Sequence, residues 1–119
     1  MTYATRSSAA RRKPLATKTS RPATLARSLA RLEREHVALL LALSDLDATV
    51  SPDAPDSALR AALAPLLRSD LRRTQYALSR ADSGLYGACD HCGRPIASRR
   101  LELNPATTRC SACEARPRA

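Results

Sequence analysis

Leu25, Leu29, Leu32, His36, Leu39, Leu43, Leu46 and Val50 recur at a strict 4-3-4-3 spacing. That is the a/d stripe of a helix packed lengthwise on another helix. Thr24 stands where an N-cap residue belongs. The stripe stops at Ser51-Pro52-Asp53-Ala54-Pro55, where two prolines bar further helix. Asp56 is placed to cap a second helix carrying Leu59, Leu63, Leu66 or Leu67, Leu71, Thr74, Leu78 and Ala81. Each arm has about 26 residues and spans roughly 40 Å at a rise of 1.5 Å per residue. Two matched stripes joined by a short turn predict an antiparallel helical hairpin over 25–83, with its tip at about 51–58. Pro65 removes a backbone donor from the second arm. It either kinks that arm or marks its start, which would leave 51–64 as a longer tip. His36 reads as a residue that sets register or reaches solvent at the seam, not as a metal ligand.

Composition narrows the class. The 119 residues include three Tyr, no Phe and no Trp, so Leu and Ala must supply thin helix–helix contacts rather than a thick core. No apolar run approaches the ~18–20 residues of a membrane span. The N-terminus has no apolar h-region, and the expectation is a soluble, cytoplasmic protein. The formal charge of +9 is unevenly placed. Residues 1–24 hold six bases and no acid, and read as a disordered basic tail. Such a tail either adds sequence-independent attraction to nucleic acid or merely solubilises; its composition also resembles that of an organellar transit peptide. Residues 25–83 balance eight bases with eight acids, and residues 84–119 set six bases against three acids. Within the hairpin, residues 42–58 collect Asp45, Asp47, Asp53 and Asp56 with no base. Of the 20 basic residues, all but Lys13 and Lys18 are Arg.

All four cysteines fall in two C-x₂-C pairs, Cys89 with Cys92 and Cys110 with Cys113. Each such turn brings two thiolates to one ion, about 2.3 Å from each sulfur, and two turns complete a tetrahedron. Gly93 permits the tight turn after the second thiol. A closed four-thiolate shell has no open position for water, so it points to one structural zinc and not to catalysis. Two disulfides would need an oxidising compartment, and a redox pair would need a βαβ setting; neither has support here. His91 lies inside the first knuckle and reads as a surface residue. Arg94, Arg99 and Arg100 would offset the −2 charge of a zinc–thiolate unit, or contact phosphate or a partner's carboxylates. Residues 84–119 thus form a zinc-finger domain with little apolar mass, whose folding depends on the metal.

The run GLYGACDHCGRPIASRRLELNPATTRCSAC resembles the four-cysteine finger of the DksA/TraR family of bacterial transcription regulators. The shared features are Tyr86-Gly87, Gly93, Ile96, Arg100-Leu101 and Pro105 around the two pairs. In that family a long helical hairpin precedes the finger and enters the secondary channel of RNA polymerase. A D-x-x-D-x-A motif at its tip approaches the active site; here Asp53, Asp56 and Ala58 fit the motif at the predicted turn. The resemblance implies a monomeric, non-enzymatic regulator of initiation, associated with the nucleoid through polymerase. It departs from the family in a shorter second arm and in the six residues after Cys113, too few for the C-terminal helix of longer members. With Asn104 in place of a base before Pro105, a response to guanosine tetraphosphate is not implied. The reading from a different class is a nucleic-acid-binding zinc module. Its tail and finger arginines would contact phosphate, and its hairpin would dimerise.

Overall fold

Two long helices lie antiparallel, and a small irregular module sits at their base. The computed structural model describes residues 21–48 and 53–116. Helix α1 spans Arg21–Ala48, α2 Ser57–Asp82, and two short helices, α3 Ser98–Leu103 and α4 Ser111–Glu114, lie in the C-terminal module. The described residues contain no strand, only an isolated antiparallel bridge between Ala88 and Pro95. The expected class, a mainly α hairpin with a C-terminal four-cysteine finger, is what forms. Residues 1–20, 49–52 and 117–119, which include Val50 and most of the expected basic tail, lie outside the described residues.

The α1 stripe is the seam. Leu32 and Leu43 are buried, and Leu25, Leu29, His36, Leu39 and Leu46 are all partly covered. His36 therefore does sit at the seam, with its Nε2 buried and without a hydrogen-bond partner. Helix α1 already includes Arg21, so Thr24 is not an N-cap; it lies inside the helix and is 2% exposed. The module packed on the base of α1 buries it, together with Ser28.

On α2 the stripe holds only at the base. Leu71, Leu78 and Ala81 are partly covered, and Thr74 and Ala77 are buried. Toward the tip the covered positions are Arg60, Ala64 and Leu67, whereas Leu59 is 60%, Leu63 39% and Leu66 63% exposed. The seam there runs one residue later than the leucines suggest. Continuing Leu78, Thr74 and Leu71 in steps of four and three lands on Leu67, Ala64 and Arg60. Helix α2 runs unbroken through Pro65, which removes the reading that starts the arm there. Pro65 faces solvent, where water can satisfy the carbonyl its missing N–H would have bonded. Asp56 occupies the N-cap position but makes no capping bond. Its Oδ2 instead accepts from Arg60 Nε at 2.9 Å, one turn into the helix.

Leu32→Ala is expected to cost about 2–5 kcal/mol, as removal of a fully buried aliphatic group from a thin seam does. Leu41, 66% exposed on the same helix, should cost less than about 0.5 kcal/mol as Leu41→Ala. Urea unfolding of the two variants checks the seam assignment.

Candidate metal centre and hairpin tip

The finger is built from two knuckles on opposite ends of α3. In the first, Cys89 N–H donates to Arg94 O at 2.8 Å and Gly93 N–H to Cys89 O at 3.0 Å, closing a tight loop around Cys92. Gly93 turns the loop at φ +78, as its place after the second thiol predicts. In the second, α4 starts directly after Cys110 and carries Cys113 on its single turn. Asp90 N–H donates to Thr108 O at 2.8 Å and ties the knuckles together. The Asp90 carboxylate accepts from Tyr76 Oη of α2 at 3.0 Å and from Arg109 Nε at 3.4 Å.

These turns gather the four cysteine sulfurs within 4.8 Å of one another. Cys92 Sγ and Cys110 Sγ, from different knuckles, stand 3.7 Å apart. A tetrahedron of sulfurs about 2.3 Å from a zinc ion has edges of about 3.8 Å, so the donor set fits that ion. All four thiols are free, with no disulfide. Burial acts to raise the Cys89 thiol, but backbone hydrogen bonds from Cys110, Cys92 and His91 outweigh it and pull the group down to about 6. Burial, followed by the neighbouring sulfurs, pushes Cys113 up to about 12. The neighbouring sulfurs oppose ionisation of Cys113, an opposition that a divalent cation among them would remove.

The finger's own hydrophobic cluster is Cys89, Ile96, Leu101 and Cys113, with Leu25 of α1, Tyr86 and Cys110 packed against it, and Pro105 is also fully buried. Arginines from both arms complete the attachment. Arg21 donates to Ile96 O at 2.8 Å, to Gly87 O at 2.9 Å and to Ser98 Oγ at 3.3 Å. Arg31 donates to Glu102 O at 2.6 Å, and Arg80 to Ala88 O at 3.1 Å. Gly87 has φ +87, which favours glycine, and a Cβ there would lie 2.7 Å from Leu25 Cδ2, so that side chain would have to move. Tyr86 donates to Pro105 O at 2.8 Å. Burial pushes its phenol up to about 12, against the opposing effect of its hydrogen bond with Ser28.

The other sequence-predicted residues divide. Arg94, Arg99 and His91 are exposed. Arg100 turns inward and donates to Arg109 O at 3.0 Å, so it serves the finger itself. Asp53 and Ala58 are exposed at the far end of the hairpin from the cysteines, and Asp56 lies beside them, held by Arg60. Sequence reasoning did not mark Arg21, Arg31 or Arg80 as functional. Arg21 fell within the expected tail, and no spacing rule marks an arginine that donates to a distant carbonyl.

These features define a two-helix rod with a four-sulfur metal module clamped to its base. Residues 84–117 match the family model of the prokaryotic dksA/traR C4-type zinc finger. The finger is thus similar to the DksA/TraR type, and its four cysteines take one structural zinc. The structure of transcription factor DksA2 from Pseudomonas aeruginosa is similar at 29% sequence identity and a TM-score of 0.47. The match covers 76% of this chain and 74% of that one. No curated protein matches the chain.

Metal analysis should find one zinc per chain, lost on chelation. Because the clamp reaches α1, chelation should also deprotect amides of the first turns of α1 in hydrogen exchange, while those around Leu39 and Leu71 stay protected. Arg21→Ala should cost about 1–3 kcal/mol, the cost of a lost charged hydrogen-bond donor, with zinc stoichiometry unchanged.

Proposed function

We propose that the protein is a DksA-like, non-enzymatic regulator of transcription that binds RNA polymerase directly and inserts its hairpin tip into the secondary channel. The observation that carries this reading is the placement of Asp53, Asp56 and Ala58. They sit exposed at the free end of a rod whose base bears a dksA/traR finger. In this reading Cys89, Cys92, Cys110 and Cys113 ligate the zinc, which organises the base and takes no part in chemistry.

The mechanism follows from where the charges stand. A polymerase active site holds Mg²⁺ and basic groups that handle triphosphates. Two carboxylates delivered on a narrow rod would perturb those groups or the mobile elements beside them, altering open-complex stability or initiation. Arg60 fixes the Asp56 carboxylate from one turn behind and leaves Asp53 free to reach forward. The acids of 42–58 would also steer approach to a basic channel mouth. The protein acts as a monomer in the cytoplasm, associated with the nucleoid through polymerase; among the described residues no helix is long and apolar enough to cross a membrane. The basic residues of 1–20 would add non-specific attraction to DNA. The reading as a phosphate-binding zinc module loses Arg100, which donates to Arg109 O, and keeps exposed Arg94 and Arg99 on the finger.

Asp53→Asn combined with Asp56→Asn should leave capture of purified polymerase intact and abolish the effect on transcription in vitro. A double variant that regulates normally would refute the role of the tip.

A further inference from the structure

The tip-side third of α2 leaves its leucines uncovered. Leu59, Leu63 and Leu66 are 60%, 39% and 63% exposed, and Ala58, Ala61, Ala62 and Pro65 beside them are exposed too. Spacings of four and three put the three leucines on one face. Each stands one residue before a seam position, Arg60, Ala64 or Leu67. Asp70 and Arg73 continue the same face toward the base, where they line a groove with Asn104 and Ala106 of the finger. The stripe therefore looks to the finger side of the hairpin. Val37 and Leu40 of α1 are also exposed, but they follow the seam positions His36 and Leu39 by one and look to the opposite side.

We propose that Leu59, Leu63 and Leu66 form the surface by which the hairpin grips the wall of the passage that receives its tip, and that this wall is an apolar protein surface. The proposal rests on the polymerase reading above and adds to it the chemistry of the contact. Leu59 to Leu66 lie three to ten residues beyond Asp56, or about 5–15 Å behind the tip along the helix. A channel that admits Asp53 and Asp56 must enclose them. The stripe is poorly suited to phosphate, since Arg60, the seam base beside it, is held to Asp56 at 2.9 Å. The facing positions on α1 are Ala38, Ala42 and Asp45, which add no base. A second copy of the chain is a poor occupant as well. Seven exposed apolar residues fall well short of the roughly 20–30 a side that a stable interface uses. A small apolar patch continuous with a working tip suits a contact made only when the rod is inserted.

The test is the affinity of purified RNA polymerase for the full chain. Leu59→Gln, Leu63→Gln and Leu66→Gln together keep good helix formers at exposed positions, and circular dichroism and zinc content verify that the fold survives. Val37→Gln with Leu40→Gln and Leu41→Gln is the matched set on the rest of the rod surface. The stripe variant should bind roughly 10- to 100-fold more weakly, the scale expected when a few central anchoring side chains are removed together. The matched set should bind as the parent does. The parent-to-variant ratio should hold between about 50 and 200 mM salt, because an apolar contact is not screened. A stripe variant that binds like the parent, or a matched set that is weakened as much, overturns the stripe and leaves the polymerase reading standing. A parent chain that fails to bind polymerase at all overturns both. A parent that sediments as a dimer, dissociated by the stripe substitutions, overturns the proposal in favour of a second copy.

Discussion

Guanidinium groups donating to backbone carbonyls fix the finger on the hairpin, and the aim of the rod depends on them. The finger's buried cluster holds four residues, two of them cysteines, with Pro105 buried beside them in the module. A core that small does not hold its own orientation on a neighbouring element. Arg21 and Arg31 from α1 and Arg80 from α2 reach across and satisfy carbonyls of Ile96, Gly87, Glu102 and Ala88. The flat, multi-donor fork of arginine suits this work better than the point charge of lysine, since one Arg21 side chain serves three acceptors. Three of the 20 basic residues are thus structural, engaged at a junction instead of offered to a polyanion.

The metal and the clamp divide the labour. Four sulfurs around one zinc would close the two knuckles; Leu25, Gly87 and the arginines then join the closed module to α1. The hairpin continues away from that base on a single seam of Leu and Ala with little else beside it. At the free end only Asp53, Asp56 and their neighbours remain, set apart from the zinc by the length of the rod. Such an arrangement separates the metal module from the acidic tip.

Much of this was legible in the residues. The 4-3-4-3 stripe of α1 marks its buried face, and two C-x₂-C pairs with Gly93 mark the metal centre. The tip half of α2 was not legible. Leu59, Leu63 and Leu66 have the same spacing as Arg60, Ala64 and Leu67, so periodicity allows two registers. Burial of Thr74 and Ala77 at the base selects the one that exposes the leucines. The start of α1 was hidden for a related reason. No apolar stripe residue precedes Leu25, and Arg21 and Thr24 gain their place in the helix from a finger far along the chain, with Gly87 lying 66 residues beyond Arg21. Asp56 has the composition of a cap, but Arg60 one turn ahead is the stronger partner for its carboxylate.

In the proposed reading the acidic tip reaches the polymerase active centre while the finger stays outside. A photo-crosslinking residue placed at position 53 tests it most directly, with a second at exposed Arg99 as the reference. Position 53 is expected to crosslink to polymerase segments lining the channel and active site, and position 99 only to the outer rim. Crosslinks from position 53 to DNA or to the outer surface of polymerase alone would contradict it.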